Sequence, residues 1–487
     1  MIGRTCGCHG APAVRRRCRR PGFLWSLALV CAGWSGCASQ PAPPRASPSS
    51  ALSAPISQRV NRYAVSLGYS QDVAGRFLEW VGTWKDGQGL SLLDTWADEL
   101  ARARAGHTAA KTLPEDLART EQRVAGRVLE QIRSQLQYNL EAFDLPDIIE
   151  TRQAQCLGYV QVYWILARAV DLAVVPVDVL QTDRDHRLPD DQGHVCCAIT
   201  LADQSTLIVD AVPNGQMHGP LVLGDLYVEQ GGTLRLKDCA GSSDLYRIIH
   251  LLEPSGLAAL LQSARAGRWV AAGQFLRAAD LYTQAIDLSP DLAQVWGNRA
   301  VAFYRLGQMD RAIADCNQAM ALDSGRPAFY NTRASVYVHI GRFQQALEDL
   351  NRAIGLDGRS ATALYNRGNV YSRLRQFDRA VQDYGRAIKL RPSWAGAYFN
   401  RGNAYHRLGR YREAIASFTR AIQLDPSLKQ AYLNRGLSYA MLGDLSNAKK
   451  DLLTAARADP ALASHVAQMS ERFNMDKEDP SFPTRVP

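Results

Sequence analysis

Past its first 37 residues the chain has few cysteines. Cys156, Cys196, Cys197, Cys239 and Cys316 are too few and too irregularly placed for a disulfide framework. No apolar run beyond Ala32 is long enough to span a bilayer. No tight spacing of His, Cys, Asp and Glu supplies the three or four convergent ligands that a metal needs, so neither a metal nor a cofactor is expected. A field of one sign is missing too. The net charge is +9, but residues 1–37 hold six arginines (Arg4, Arg15, Arg16, Arg17, Arg19 and Arg20) and no acid, and setting them aside leaves +3. A chain near +3 has no broad field for a polyanion, so nucleic acid is not an expected partner.

The same 37 residues read as an export signal. Arg15 to Arg20 form a basic segment, and Phe23 to Ala32 is an apolar run with the length of a signal-peptide core. Trp34-Ser35-Gly36-Cys37-Ala38-Ser39 then sets small residues before a cysteine. This resembles a bacterial lipobox, with Trp34 standing where the pattern usually has an aliphatic residue. The alternatives are an ordinary signal peptide or a short membrane anchor. The resemblance implies a lipid on Cys37 and, through it, the membrane as a partner. With no aspartate after Cys37, it further implies the cell envelope, at the outer membrane facing the periplasm. Residues 38–57 are rich in Pro, Ser and Ala and read as a flexible tether.

Residues 58–150 have helical texture. Phe77-Leu78-Trp80-Val81, Leu92-Leu93-Trp96-Leu100 and the stretch from Arg123 to Leu140 all show helix-like apolar spacing. The texture changes at Thr151. Gln153-Ala154-Gln155-Cys156 reads as a loop entering a long buried helix, with Cys156 in its first turn. Strand-like runs follow at Val174 to Leu180, His194 to Leu201 and Thr206 to Val212. A thiol becomes a nucleophile as its thiolate, and a helix N-terminus favours negative charge. His194 can take the proton and return it to a leaving group, and Asp210 can orient the imidazole. Gln155 or Gln153 can join the Cys156 backbone N–H in holding an oxyanion. His194 and Asp210 sit on opposite arms of a hairpin turning near Ala202-Asp203-Gln204. Their side chains share a face only if that loop has an odd number of residues. The competing reading is bland: Cys156 as a small buried hydrophobe, with His194 and Asp210 as ordinary strand residues.

The order cysteine, helix, strand, histidine strand, aspartate strand resembles the transglutaminase-like superfamily. Gln155-Cys156 through Val174-Val175-Pro176-Val177 looks like its nucleophile helix and next strand, Gly193-His194-Val195 like its histidine strand, and Val209-Asp210-Ala211-Val212-Pro213 like its aspartate strand. The spacings are 38 and then 16 residues. Val195 and Gln155 depart from the family's usual neighbours of the histidine and the cysteine. The resemblance implies an α+β fold and a Cys156-His194-Asp210 triad. Its chemistry would pass through an acyl-thioester on peptide or amide substrates.

The rest of the chain repeats every 34 residues. Arg265, Arg299, Arg333, Arg367, Arg401 and Arg435 keep that period, as do Ala312, Ala346, Ala380, Ala414 and Ala448. A 34-residue period of helix-sized pieces means a helical solenoid. Six units follow, about 257–290, 291–324, 325–358, 359–392, 393–426 and 427–460, with Ala461 to Met475 as a capping helix. Turn glycines stand at Gly273, Gly307, Gly341, Gly409 and Gly443, with Arg375 replacing one. Together with Pro290, Pro392, Pro426 and Pro460 these features resemble the tetratricopeptide (TPR) repeat. Asp315, Asp349, Asp383 and Asp451 each follow their arginine by 16 residues, and Ser417 breaks the series opposite Arg401. The spacing predicts an ion-pair ladder across each helix pair, and exposed pairs of this kind contribute about 0.2–1 kcal/mol each. By the resemblance, Val301, Ser335, Asn369, Asn403 and Leu437 line a concave groove. One turn on lie Arg305, His339, Arg373, Arg407 and Met441. Asn369 with Arg373, and Asn403 with Arg407, resemble repeat modules that grip peptide carboxylates, which suits Arg and Asn chemistry. A solvated polar face is the other reading.

The expected plan is a signal peptide (1–37), a linker (38–57), an α+β transglutaminase-like domain (58–255, helical part 58–150 and core 151–255), an all-α TPR superhelix (256–475) and a disordered tail (476–487). Three functions fit it: a lipid-anchored thiol hydrolase or acyltransferase whose repeats recruit a protein or peptide, a scaffold with a decayed thiol domain, and a maturation factor that positions a partner beside the thiol.

Overall fold

The computed structural model describes residues 54–110, 113–139, 142–181, 194–211, 217–221, 227–230, 233–236, 248–459, 461 and 463–473. The signal-like segment with Cys37, most of the 38–57 tether, His186, Cys239 and the 476–487 tail lie outside these residues.

The helical texture of the first region resolves into α1 (Ile56–Ser66), α2 (Gln71–Gly82), α3 (Leu92–Ala110), α4 (Pro114–Gln135) and α5 (Leu145–Thr151). Ser70 starts α2 as an N-cap, its hydroxyl accepting from the Val73 N–H at 3.3 Å. Two short strands, β1 (Gln137–Tyr138) and β2 (Gln153–Ala154), pair in parallel just before α6 (Cys156–Ala169). Every residue from Leu157 to Ala167 is buried. A helix that is apolar all round belongs in a core, and α6 is the spine of this one.

Seven antiparallel strands form the main sheet, in the order β6-β5-β4-β3-β9-β8-β7. They are β3 (Ala173–Gln181), β4 (His194–Thr200), β5 (Thr206–Val209), β6 (Met217–Leu221), β7 (Tyr227–Gln230), β8 (Thr233–Leu236) and β9 (Ile248–Leu251). Alternation along the strands sorts the two faces. Val195, Cys197, Ile199, Leu207 and Val209 join the core around α6. Cys196, Ala198, Ile208, Val177, Val179 and Ile249 form a separate cluster.

The 34-residue period becomes six helix pairs: α7 (Pro254–Ala271) with α8 (Phe275–Leu288), α9 (Ala293–Arg305) with α10 (Met309–Leu322), α11 (Pro327–His339) with α12 (Phe343–Leu356), α13 (Ala361–Arg373) with α14 (Phe377–Leu390), α15 (Ala395–Arg407) with α16 (Tyr411–Leu424), and α17 (Lys429–Met441) with α18 (Leu445–Ala458). A last helix, α19 (Ala463–Arg472), follows. The five turn glycines have φ between +73° and +79°, and Arg375 takes φ +60° in the sixth turn. A side chain is strained in that region.

The arginine ladder is present and more buried than a surface series. Arg299, Arg333, Arg367 and Arg435 each give two bonds of 2.6–2.9 Å to Asp315, Asp349, Asp383 and Asp451. The aspartate side chains are only 5–7% exposed. Arg401 instead meets the Ser417 hydroxyl at 3.2 Å. Arg265 departs from the series, because Leu281 occupies the place of its aspartate. Its guanidinium reaches back to Asp144 with bonds of 2.9 and 2.7 Å.

That contact is part of a continuous joint. Leu257, Ala258 and Leu261 of α7 lie in the core around α6, while Ala259 and Ala266 lie in the first repeat core. Arg268 binds Asp147 at 2.6 Å. From the sheet side, His250 on β9 meets Asp291 at 3.3 Å. Among the described residues, the helix-and-strand region and the solenoid thus share helix α7, two arginine–aspartate pairs and the His250–Asp291 contact.

Candidate functional site

Cys156 opens α6 with Gln155 as N-cap residue, and no side chain caps the helix. The first backbone N–H groups of α6 lack intrahelical acceptors by geometry, so the helix presents donors and a positive dipole end beside the thiol. The approach to the cysteine is tight. The Gln155 N–H donates to the Ala142 carbonyl at 2.6 Å. A Cβ at Gly158 would lie 3.0 Å from Ala154 Cβ and 3.1 Å from the Ala142 oxygen. Glycine at 158 lets this turn of α6 sit against β2 and the loop before it.

The other two residues come from one hairpin. Cys197 pairs with Val209 and Thr200 with Thr206, a register that puts Asp210 opposite Cys196 and on the same side as His194. The hairpin closes through a Leu201 N–H to Ser205 carbonyl bond of 2.8 Å, which leaves Ala202, Asp203 and Gln204 as a three-residue turn. The odd loop required for a shared face is there. Gln204 has φ +67°, the left-handed position that three-residue hairpin loops contain. Glu121 of α4 holds the turn from outside, its carboxylate accepting the Ala202 N–H at 2.7 Å.

His194 Nε2 lies 2.9 Å from Asp210 Oδ2, and the two side chains are 16% and 12% exposed. The Cys156 thiol lies close enough to the ring to act on it as well. Burial alone would disfavour the charged ring. The bonds and charges of Asp210 and Cys156 outweigh it and raise His194 to about 10. The structure thus brings Cys156, His194 and Asp210 together. Cys156 is partly exposed, whereas Cys196, Cys197 and Cys316 are buried free thiols. Burial pushes those three up, Cys316 to about 12. They are inert thiols at neutral pH. Among the described residues no group of three His, Cys, Asp or Glu is placed to hold a metal, and no helix is long and apolar enough to cross a membrane.

Two residues of this site carry no signal in the sequence. Arg133, near the end of α4, donates to the Asp210 carbonyl at 2.7 Å and the Ala211 carbonyl at 3.5 Å. It fixes the chain where Asp210 leaves β5. Tyr138 on β1 is half-exposed; partial burial first, and then nearby Cys156 and Asp210, raise the pKa of its phenol. Gln153 is engaged as acceptor for Asn139 Nδ2 at 2.5 Å. Gln155 keeps its amide out of any helix cap.

In the repeats, Arg373, Asn403 and Arg407 line a cavity of about 800 Å³, together with Arg375, His406 and Asn434. Phe377, Leu437, Met441, Met469 and Phe473 form its apolar part. Asn369 is not on that wall. Its Oδ1 accepts from Tyr384 at 2.8 Å and from Asn400 Nδ2 at 2.9 Å. Asn403 Oδ1 similarly accepts from Asn434 at 2.7 Å, so asparagines bridge successive first helices along this surface.

A family model described as tetratricopeptide repeat matches residues 270–327, 365–429 and 399–463, and a model described as TPR repeat matches 334–374. The C-terminal region is an all-α TPR superhelix. Similar solved structures include the APC/C hetero-tetramer Cut9–Hcn1 (20% identity, 45% of this chain and 43% of that one, TM-score 0.40). Others are YrrB, a TPR protein with an unusual peptide-binding site (25%, 40% and 99%, TM-score 0.35), and pilF of Pseudomonas aeruginosa (16%, 46% and 100%, TM-score 0.41). The chain spans less than half of the Cut9–Hcn1 chain that it resembles. No curated protein matches it.

Proposed function

We propose that the protein is a thiol hydrolase or acyltransferase of transglutaminase-like type, joined to a TPR module that docks a protein or peptide. One observation carries the reading. A partly exposed thiol at the open end of a buried helix lies beside a histidine that an aspartate holds at 2.9 Å. Such an arrangement sets a proton-holding imidazole beside the sulfur, the pairing that a thiol nucleophile needs.

The chemistry follows from the groups. The Cys156 sulfur attacks an amide carbonyl carbon, and the oxygen takes the negative charge beside the first N–H groups of α6. As the C–N bond breaks, His194 gives its proton to the leaving amine. Water, in hydrolysis, or a second amine, in transfer, then gives a proton to His194 and attacks the thioester, releasing the thiolate. Asp210 keeps the imidazolium oriented throughout. Arg373, Asn403 and Arg407, with Arg375 nearby, supply cationic and amide donors that suit a carboxylate-bearing peptide in the repeat cavity. A lipid on Cys37 would tether the protein in the cell envelope. That part of the proposal rests on residues 15–39 of the sequence alone.

The test is alkylation of the intact protein by iodoacetamide at pH 7, read peptide by peptide. Cys156 should react first, and His194→Ala should slow it by about tenfold or more, since an unassisted thiol is only a few per cent ionised there. If Cys156 reacts no faster in wild type than in His194→Ala, the thiol reading fails and the scaffold reading stands.

A further inference from the structure

The short strand β1 has β2 on one side and, among the described residues, no strand on the other. Its pairing with β2 uses alternate residues. The N–H groups of Gln137 and Asn139 donate to the Arg152 and Ala154 carbonyls at 2.9 and 3.0 Å. Tyr138, between them, must therefore turn its own N–H and carbonyl the other way. Among the described residues neither group has a backbone partner, and both residues of β1 are exposed. Tyr138 is also near the thiol: it is in register with Ala154, two residues before Cys156, and its phenol is close enough to Cys156 and Asp210 for both to act on it.

From this placement we infer that the free edge of β1 is a substrate subsite that takes an extended peptide as an added strand, main chain to main chain. The inference rests on the thiol reading and narrows its substrate class to an unfolded peptide segment. A peptide residue lying antiparallel to Tyr138 gives its N–H to the Tyr138 carbonyl and receives the Tyr138 N–H on its own carbonyl. Such recognition tolerates many side chains. It excludes folded surfaces, whose backbone groups are already paired. It also distinguishes a peptide from a single amino-acid amide, which has no main chain to lay along β1.

The experiment compares two electrophiles on the whole protein: acetyl-Ala-Ala-Ala chloromethyl ketone and acetyl-Ala chloromethyl ketone. In each, the Cys156 sulfur displaces chloride to form a thioether. The tripeptide should label Cys156 about tenfold faster, the scale of one or two backbone hydrogen bonds. N-methylating the probe's amides one at a time should remove that advantage at one position and spare the next. Tyr138→Phe should keep the length advantage, and Tyr138→Pro, which lacks the N–H, should lose it. Equal rates for the two probes, N-methylation without effect, or a length advantage that survives Tyr138→Pro would overturn the inference. The N-methyl series needs no variant, so it decides even if Tyr138→Pro does not fold. Iodoacetamide with wild type and His194→Ala separates this outcome from failure of the thiol reading itself.

Discussion

His194 holds its proton because Asp210 and Cys156 together overcome the burial of the ring. The sign of its linkage follows. A histidine raised from 6.5 to about 10 on folding stabilises the protein fully below pH 6.5, and the contribution is lost as pH rises through about 10. Asp210→Asn should flatten that loss, which urea titrations between pH 6 and 10 would measure. Arg375 offers a second check. It occupies a left-handed turn position where the other units carry glycine. Arg375→Gly should stabilise the protein by about 1 kcal/mol, the strain relieved less the added freedom of the unfolded chain. No change or a loss in thermal stability would contradict that. The sequence shows Cys156, His194 and Asp210 because chain order and strand parity are one-dimensional patterns. Arg133 and Tyr138 reach the site through space, from the end of α4 and from a two-residue strand, and nothing in their own neighbourhoods marks them.

The repeat period fixes which arginines face which aspartates, so the ladder is legible in residue spacing alone. Its burial is not, since exposure depends on how neighbouring units stack. Each intact rung also touches the preceding unit: Arg333 reaches Asn317 at 2.5 Å and Arg367 reaches Asn351 at 2.8 Å. Removing one partner of a buried pair strands the other, at about 3–5 kcal/mol. Arg367→Ala should therefore destabilise far more than Arg401→Ala, whose partner Ser417 is neutral. Hydrogen exchange on α13 to α16 would rank them. An equal, small effect would return the ladder to the surface class. Arg265 shows where periodicity stops being a guide. It keeps the 34-residue phase, yet with Leu281 in place of an aspartate its charge is met by Asp144, 121 residues away.

For the whole molecule, that exception joins the two halves. Asp144 also accepts from the Tyr69 hydroxyl at 2.8 Å, and that hydroxyl lies 2.6 Å from the Gln161 amide oxygen on α6. Arg265 of the solenoid, Asp144, Tyr69 and the helix that begins with Cys156 thus form one polar chain, and α7 lies in both cores. A sequence reading places a boundary near residue 256 because the repeat pattern begins there. The structure runs a shared helix across that point. Heating should give one cooperative transition for the described body, and Arg265→Ala should lower it or split it in two, as calorimetry would record. A lowered or split transition would mean that the joint holds the repeats at a fixed place relative to Cys156, and an unshifted one that the joint is incidental.

Whether Cys156 is the reactive thiol of this chain, and whether His194 makes it so, is tested most directly by its rate of alkylation in the full protein at pH 7, followed on its own peptide. Wild type should react at least about tenfold faster than His194→Ala. Equal rates in the two proteins would contradict the thiol reading.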